Sequence, residues 1–121
     1  MAKRILIVDD DEMVLIALQE LLGPEGYEIE AVSRGLEALK KLDEKKYDLI
    51  MLDVIMPEMD GYELCRRIRE RDEHKETPLV FLTAKSRDED QAKGMEAGAD
   101  QYLPKPISPD KLLSIVSDIL G

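Results

Sequence analysis

Three carboxylates, one hydroxyl and one ammonium in this sequence stand at the ends of short apolar runs. Asp9 and Asp10 follow Ile5-Leu6-Ile7-Val8, and Asp53 follows Leu49-Ile50-Met51-Leu52. Thr83 closes Leu79-Val80-Phe81-Leu82, and Lys105 lies just past Tyr102-Leu103. Runs of this length and branching read as buried strands. In an open parallel α/β sheet the carboxyl ends of the strands share one edge, where ligands bind. The order of the runs therefore predicts that these five groups converge. Paired hard oxygens suit Mg2+, which takes one or two carboxylates and keeps several waters. A hydroxyl and an ammonium around a carboxylate suit a phosphoryl group, whose equatorial oxygens need charge neutralised. A carboxylate there can act as nucleophile toward phosphorus and form an acyl phosphate.

Taken singly, each residue has a plainer explanation. Asp11 and Glu12 are acids favoured in the first turn of a helix by its dipole. Asp9 and Asp10 sit earlier, where the backbone is not yet helical. Asp53 could cap a turn, yet it ends the most apolar run, which belongs at the centre of the sheet. Pro57 and Gly61 then shape a loop into the next helix. Thr83 is β-branched and suits a strand in any case. Lys105 lies between Pro104 and Pro106, which stiffen its backbone and fix where the ammonium points. The combination at successive strand ends carries the argument.

The elements that must position these groups alternate in kind. Short runs at residues 5–8, 29–32, 49–52, 79–82 and 101–103 are separated by segments with helical spacing. Residues 12–22 form a helical segment that stops at Gly23-Pro24. Leu36, Leu39 and Leu42 repeat along a second helix. Residues 62–71 place Leu64, Cys65 and Ile68 on one face, and residues 88–97 end at Gly98. Residues 110–120 place Leu112, Leu113, Val116, Ile119 and Leu120 on one stripe, with Ser108 as N-cap and Pro109 in the first turn. Five β-α units predict an α/β fold, a parallel sheet with helices on both faces. Right-handed crossovers leave only a few topologies. Residues 1–121 are expected to form a single domain without repeats or linkers.

Composition narrows the function classes. Hydrophobic residues make up 44% and charged residues 36%, ordinary for a globular protein. The net charge of −10 argues against nucleic-acid binding, since phosphate backbones attract basic surfaces. No apolar stretch reaches the roughly 18 residues of a membrane span, and no signal peptide is expected. One cysteine, Cys65, permits no internal disulfide, which is compatible with a reducing, cytoplasmic location. His74, alone in the polar run Asp72-Glu73-His74-Lys75-Glu76, reads as a solvated loop residue. Glu63–Arg67 and Arg66–Glu70 have the spacing of helical ion pairs. The first helix, with Met13, Val14, Leu15, Ile16, Ala17, Leu18, Leu21 and Leu22, has almost no polar face, so part of it must be exposed.

The motifs ILIVDDDE, MLDVIMPEMDGYEL, VFLTAK and GADQYLPKP, in this order and spacing, resemble the receiver domain of two-component response regulators. The resemblance runs from Lys3 to Leu120. It implies a flavodoxin-like five-stranded sheet of order 2-1-3-4-5 with five helices. Position by position, it implies Asp53 as phosphoacceptor, Asp10 as a direct Mg2+ ligand and Asp9 as an acid acting mainly through metal-bound water. The backbone carbonyl of Ile55 would complete the protein's ligands. Thr83 becomes the switch hydroxyl, Lys105 the phosphoryl-contacting lysine and Tyr102 the aromatic switch, with a cis Lys105–Pro106 bond. The implied partners are a histidine kinase or phosphotransfer protein, docking on the first helix, and a downstream effector or output domain. That output is read from the fourth helix, last strand and last helix. Such a chain assists its own phosphorylation and dephosphorylation without being a turnover enzyme. Ile55, two residues past the acceptor, and Lys85, two past Thr83, are tuning positions. A branched apolar side chain at Ile55 should slow hydrolysis of the phosphate.

Other readings of the same residues stay open at this point. A small phosphatase with an aspartyl nucleophile would want that nucleophile in the first acidic cluster. A flavodoxin-like cofactor binder would want a Gly/Ser/Thr-rich phosphate loop after the first strand, and none is there. A receiver cut from a larger regulator has the same sequence signature as one that works alone.

Overall fold

The computed structural model describes residues 2–121. Five strands alternate with five helices along the chain: β1 (Arg4–Val8), α1 (Glu12–Leu22), β2 (Glu28–Val32), α2 (Gly35–Glu44), β3 (Leu49–Leu52), α3 (Gly61–Arg69), β4 (Leu79–Thr83), α4 (Asp88–Ala97), β5 (Gln101–Pro104) and α5 (Pro109–Leu120). Short 3-10 turns occupy Gly23–Glu25 and Asp72–His74. All strand pairs are parallel, in the order β2-β1-β3-β4-β5, so the most apolar strand, β3, is central. That is the order the resemblance implied.

Alternation along each strand divides the core in two. Leu6, Val8, Ile50, Leu52, Leu79 and Phe81 face one side, where α2, α3 and Ala97 of α4 cover them. Ile5, Ile7, Leu49, Met51, Val80 and Leu82 face the other, beneath α1 and α5. Strands covered on both faces read as continuous apolar runs, which is why β1, β3 and β4 were legible. Edge strand β2 keeps Glu28 and Glu30 because it is less covered.

Side chains set the helix starts. Asp11 accepts from the Met13 N–H at the head of α1, Asp60 from the Glu63 N–H at α3, and Ser108 from the Lys111 N–H at α5. In α1, Leu15 and Leu18 pack into the core while Met13 and Ile16 are exposed. An all-apolar helix cannot show by periodicity which face turns inward, so only packing separates Leu15 from Ile16. Leu36 departs from its expected stripe: it is exposed in the first turn of α2, while Leu39 and Leu42 are buried.

Candidate metal and phosphoryl site

The site is an extension of the sheet's own ladder. Asp53 N–H donates to the Val8 carbonyl at 3.0 Å and Asp9 N–H to the Val32 carbonyl at 3.2 Å. Lys105 N–H donates to the Thr83 carbonyl at 2.8 Å. One residue past each strand, the backbone is still held in register, so the side chains are fixed by rigid elements. Just beyond Asp53, Gly61 packs its Cα against the Asp53–Val54 backbone and donates its N–H to the Val54 carbonyl at 2.9 Å. A Cβ at position 61 would collide with the Asp53 carbonyl oxygen, so only glycine permits this approach.

Asp9 and Asp53 are buried, whereas Asp10 is exposed beside them. One oxygen from each of these three carboxylates lies within 4.8 Å of the others. Lys105 Nζ donates to Asp9 Oδ2 at 2.7 Å and to Asp53 Oδ2 at 3.3 Å. The remaining Asp9 oxygen accepts from the Asp11 N–H at 2.9 Å, and Asp53 Oδ1 accepts from the Val54 N–H at 2.7 Å. Three carboxylates thus face one ammonium. Burial pushes the Asp9 carboxyl above its ordinary range, and the Asp53 charge adds to this against the opposing pull of Lys105. Burial alone would lower the Lys105 ammonium, but the two carboxylates outweigh it and hold it above its usual range. The donor set is all hard oxygen and short of positive charge. It fits a divalent cation of the Mg2+ type held by Asp9, Asp10 and Asp53.

Thr83 is fully buried at the end of β4, and its hydroxyl accepts from the Lys85 N–H at 3.3 Å. Tyr102 is half-buried on β5, with its ring centroid 5.4 Å from that of Phe81. Its hydroxyl donates to the Lys85 carbonyl at 2.7 Å. Lys105 is therefore in direct contact with Asp9 and Asp53, whereas Tyr102 is anchored on the loop after Thr83. The Lys105–Pro106 peptide is cis. Ile55 lies in the loop after Asp53 with its side chain exposed, lining a cleft of about 340 Å3 together with Tyr62, Lys85 and Lys93.

Several residues carry more than their sequence suggested. His74 is buried rather than solvated: Nδ1 lies 3.0 Å from Thr77 Oγ1, and Nε2 is buried with no partner. The polar residues beside it in the sequence gave no sign of that. Arg69 lies on α3 but reaches three carbonyls and Asp100 (below). Glu63 and Arg67 pair at 2.6 Å, while no ion pair joins Arg66 and Glu70 among the described residues. Cys65 is a buried thiol, as expected, pushed up to about 11 by burial. Tyr62 joins Tyr102 and Asp90 near the site, a contact the sequence reading did not anticipate.

Comparison with known proteins places the chain in a family and a fold. The response regulator receiver domain family matches residues 5–117. The alkaline phosphatase synthesis transcriptional regulatory protein PhoP of Bacillus subtilis (strain 168) is 43% identical over 120 residues, covering 99% of this chain and 49% of that protein. The chain spans about half the length of the curated relatives it matches. Chemotaxis response regulator CheY4 of Vibrio cholerae superposes with a TM-score of 0.93 at 33% identity, over 99% of this chain and 100% of that one. The receiver domain of sensor histidine kinase PA1611 from Pseudomonas aeruginosa PAO1 superposes with a TM-score of 0.92 at 29% identity, over 100% of this chain and 99% of that one. In that structure a magnesium ion is coordinated in the active site cleft.

Proposed function

The chain belongs to the response regulator receiver domain family, and from that premise we propose that it is a phosphorylation switch whose acceptor is Asp53. The observation that carries this reading is the convergence of Asp9, Asp53 and Lys105 at the carboxyl edge of the sheet. The donor is a phosphohistidine on a histidine kinase or phosphotransfer protein. An Asp53 carboxylate oxygen attacks phosphorus in line; the new O–P bond forms as the P–N bond to imidazole breaks, and the ring nitrogen keeps that electron pair. Mg2+, when bound, supplies positive charge for the phosphoryl oxygens. Asp9, Asp10, Asp53 and the Ile55 carbonyl would hold it, with Asp9 acting mainly through bound water. Lys105 then exchanges a carboxylate partner for a phosphoryl oxygen, and the Thr83 hydroxyl donates to another.

This movement of Thr83 is coupled to Tyr102 through the loop that both touch. An inward Tyr102 biases a two-state equilibrium and changes the face formed by α4, β5 and α5, which a downstream effector or output domain reads. The exposed Met13 and Ile16 of α1 supply an apolar face for the phosphodonor. Leu15 is excluded from that role because it packs in the core. The chain contributes to its own phosphorylation and dephosphorylation and is not a turnover enzyme. A cytoplasmic setting, where histidine kinases draw on ATP, fits this chemistry.

The test is incubation with Mg2+ and phosphoramidate or acetyl phosphate beside Asp53→Asn, read by intact mass. A phosphoryl adduct on the unsubstituted protein alone, prevented by EDTA, is expected. No adduct on either protein, with Mg2+ binding verified, would leave a binding module that works without phosphorylation.

A further inference from the structure

Tyr62 is the second residue of α3 and lines the cleft that Val54, Ile55 and Lys85 also border. It is buried, and its hydroxyl donates to the Asp90 carbonyl on α4 at 3.0 Å. The same hydroxyl is 3.2 Å from the Tyr102 hydroxyl. Both rings lean on Phe81, with centroids 5.6 Å and 5.4 Å away. Satisfying a buried phenol would require only the Asp90 carbonyl, so the second contact needs its own explanation.

Counting protons supplies it. Each phenol has one, and three contacts draw on the two. The shortest contact, 2.7 Å from Tyr102 to the Lys85 carbonyl, takes the Tyr102 proton. The Tyr62 proton is then shared between Asp90 and Tyr102, so the Tyr102 oxygen accepts as well as donates. A hydroxyl used in both directions is held more firmly than one that only donates. Burial pushes the Tyr102 phenol well above its ordinary range, so its proton stays in place at neutral pH. Space for the ring comes from Gly94: a Cβ there would lie 2.5 Å from Tyr102 Cδ1 and 3.3 Å from Phe81 Cδ2.

We propose that Tyr62 is a positioning residue that latches Tyr102 inward in the unphosphorylated chain, through the Tyr62–Tyr102 hydroxyl contact over Phe81 and Gly94. This rests on the reading of Tyr102 as the switch aromatic. The latch raises the resting population of the inward state, so less of the phosphoryl group's binding energy is needed to complete the transition.

Two measurements test it. The first needs no ligand: aromatic NMR of selectively 13C-labelled tyrosine reports the contact between the Tyr102 and Phe81 rings. Tyr62→Phe, which deletes only the hydroxyl, is expected to weaken that contact. Gly94→Ala, which on helix propensity alone would favour α4, is expected to abolish it by filling the slot. An unchanged Tyr102 ring in a folded Tyr62→Phe overturns the latch. The second is calorimetric binding of beryllofluoride, a phosphoryl mimic, with Mg2+. Loss of one hydrogen bond from the inward state should weaken binding roughly threefold to tenfold in Tyr62→Phe. In a Tyr102→Phe background the same substitution should change it by less than roughly twofold. An equal loss in both backgrounds means that Tyr62 does not act through Tyr102, and overturns the proposal. If the unsubstituted protein fails to bind beryllofluoride, the phosphoacceptor reading falls, and the ligand-free ring contact still decides the latch.

Discussion

The two edges of the sheet solve opposite problems with the same kinds of residue. At the amino edge of β4 and β5, Arg69 donates to the carbonyls of Gly98 at 2.9 Å, His74 at 2.9 Å and Thr77 at 2.6 Å. It also pairs with Asp100 at 3.2 Å, whose same oxygen accepts the Leu79 N–H at 2.9 Å. One cation there meets one carboxylate and three carbonyls, and the network is closed. At the carboxyl edge three carboxylates meet one lysine, and the network is short of positive charge. A balanced cluster ties strands and loops together. An unbalanced one, held by the same rigid strands, is left to be completed by something that binds. Sites tuned for function are where natural proteins give up stability.

The largest expected effect breaks the balanced edge. Arg69→Ala takes the side-chain donor from three carbonyls and the ion-pair partner from Asp100, and should cost about 2–4 kcal/mol in urea denaturation. Arg69→Lys should recover little, because an ammonium cannot replace a planar fork of donors. Both variants, while folded, should still accept a phosphoryl group, since Arg69 touches nothing at the other edge.

At the unbalanced edge the signs reverse. Mg2+ at ten times its dissociation constant should stabilise the protein by about 1.4 kcal/mol. Without Mg2+, Asp53→Asn should raise stability by about 1 kcal/mol, because one crowded charge is gone. It should also reduce the Mg2+ effect. Urea midpoints with and without Mg2+ check both. Stability lowered by Asp53→Asn in the absence of Mg2+ would remove the contrast between the edges.

His74, beside the Arg69 network, sharpens the comparison through pH. Burial lowers its folded pKa below the ordinary histidine value. The unfolded chain then binds the proton more readily, so this contribution is full above about pH 6.5. It is lost as pH falls from there toward the folded pKa. Between pH 7.5 and 5.5 the loss should reach no more than about 1.4 kcal/mol. It is read as the difference in urea midpoints between the protein and His74→Gln, whose pH slope should be flatter.

The smallest effect concerns the mouth of the site. Shielding of Asp53 from water by the exposed Ile55 side chain would predict that Ile55→Asn speeds loss of the phosphoryl adduct by roughly threefold to tenfold, about 1 kcal/mol of barrier. Decay of the adduct mass over time measures it. An unchanged or slower decay would dismiss the shielding role.

How much was legible in the sequence follows from the range over which each signal acts. Asp9, Asp53, Thr83 and Lys105 could be placed because each sits at the end of a buried strand, and strand order on one edge does the rest. The bounds of α1 and α4 match the sequence reading, since Gly23-Pro24 and Gly98 mark their ends. The order of strands came from the resemblance, as right-handed crossovers alone leave more than one arrangement. Arg69, His74 and Tyr62 were not legible in these roles. Arg69 and Tyr62 reach groups about thirty residues away, Gly98, Asp100 and Asp90 among them, and such contacts leave no local pattern. Gly94 carried no signal in the sequence; the Tyr102 ring packed against it leaves no room for a Cβ there.

The most direct test of the central claim is to locate the phosphoryl group. Protein treated with phosphoramidate and Mg2+ is reduced with borohydride, which converts an acyl phosphate to an alcohol, and peptide mass identifies the altered residue. The account predicts homoserine in place of Asp53 and at no other carboxylate. Homoserine in place of Asp9 or Asp10, or an adduct that borohydride leaves intact, would contradict it.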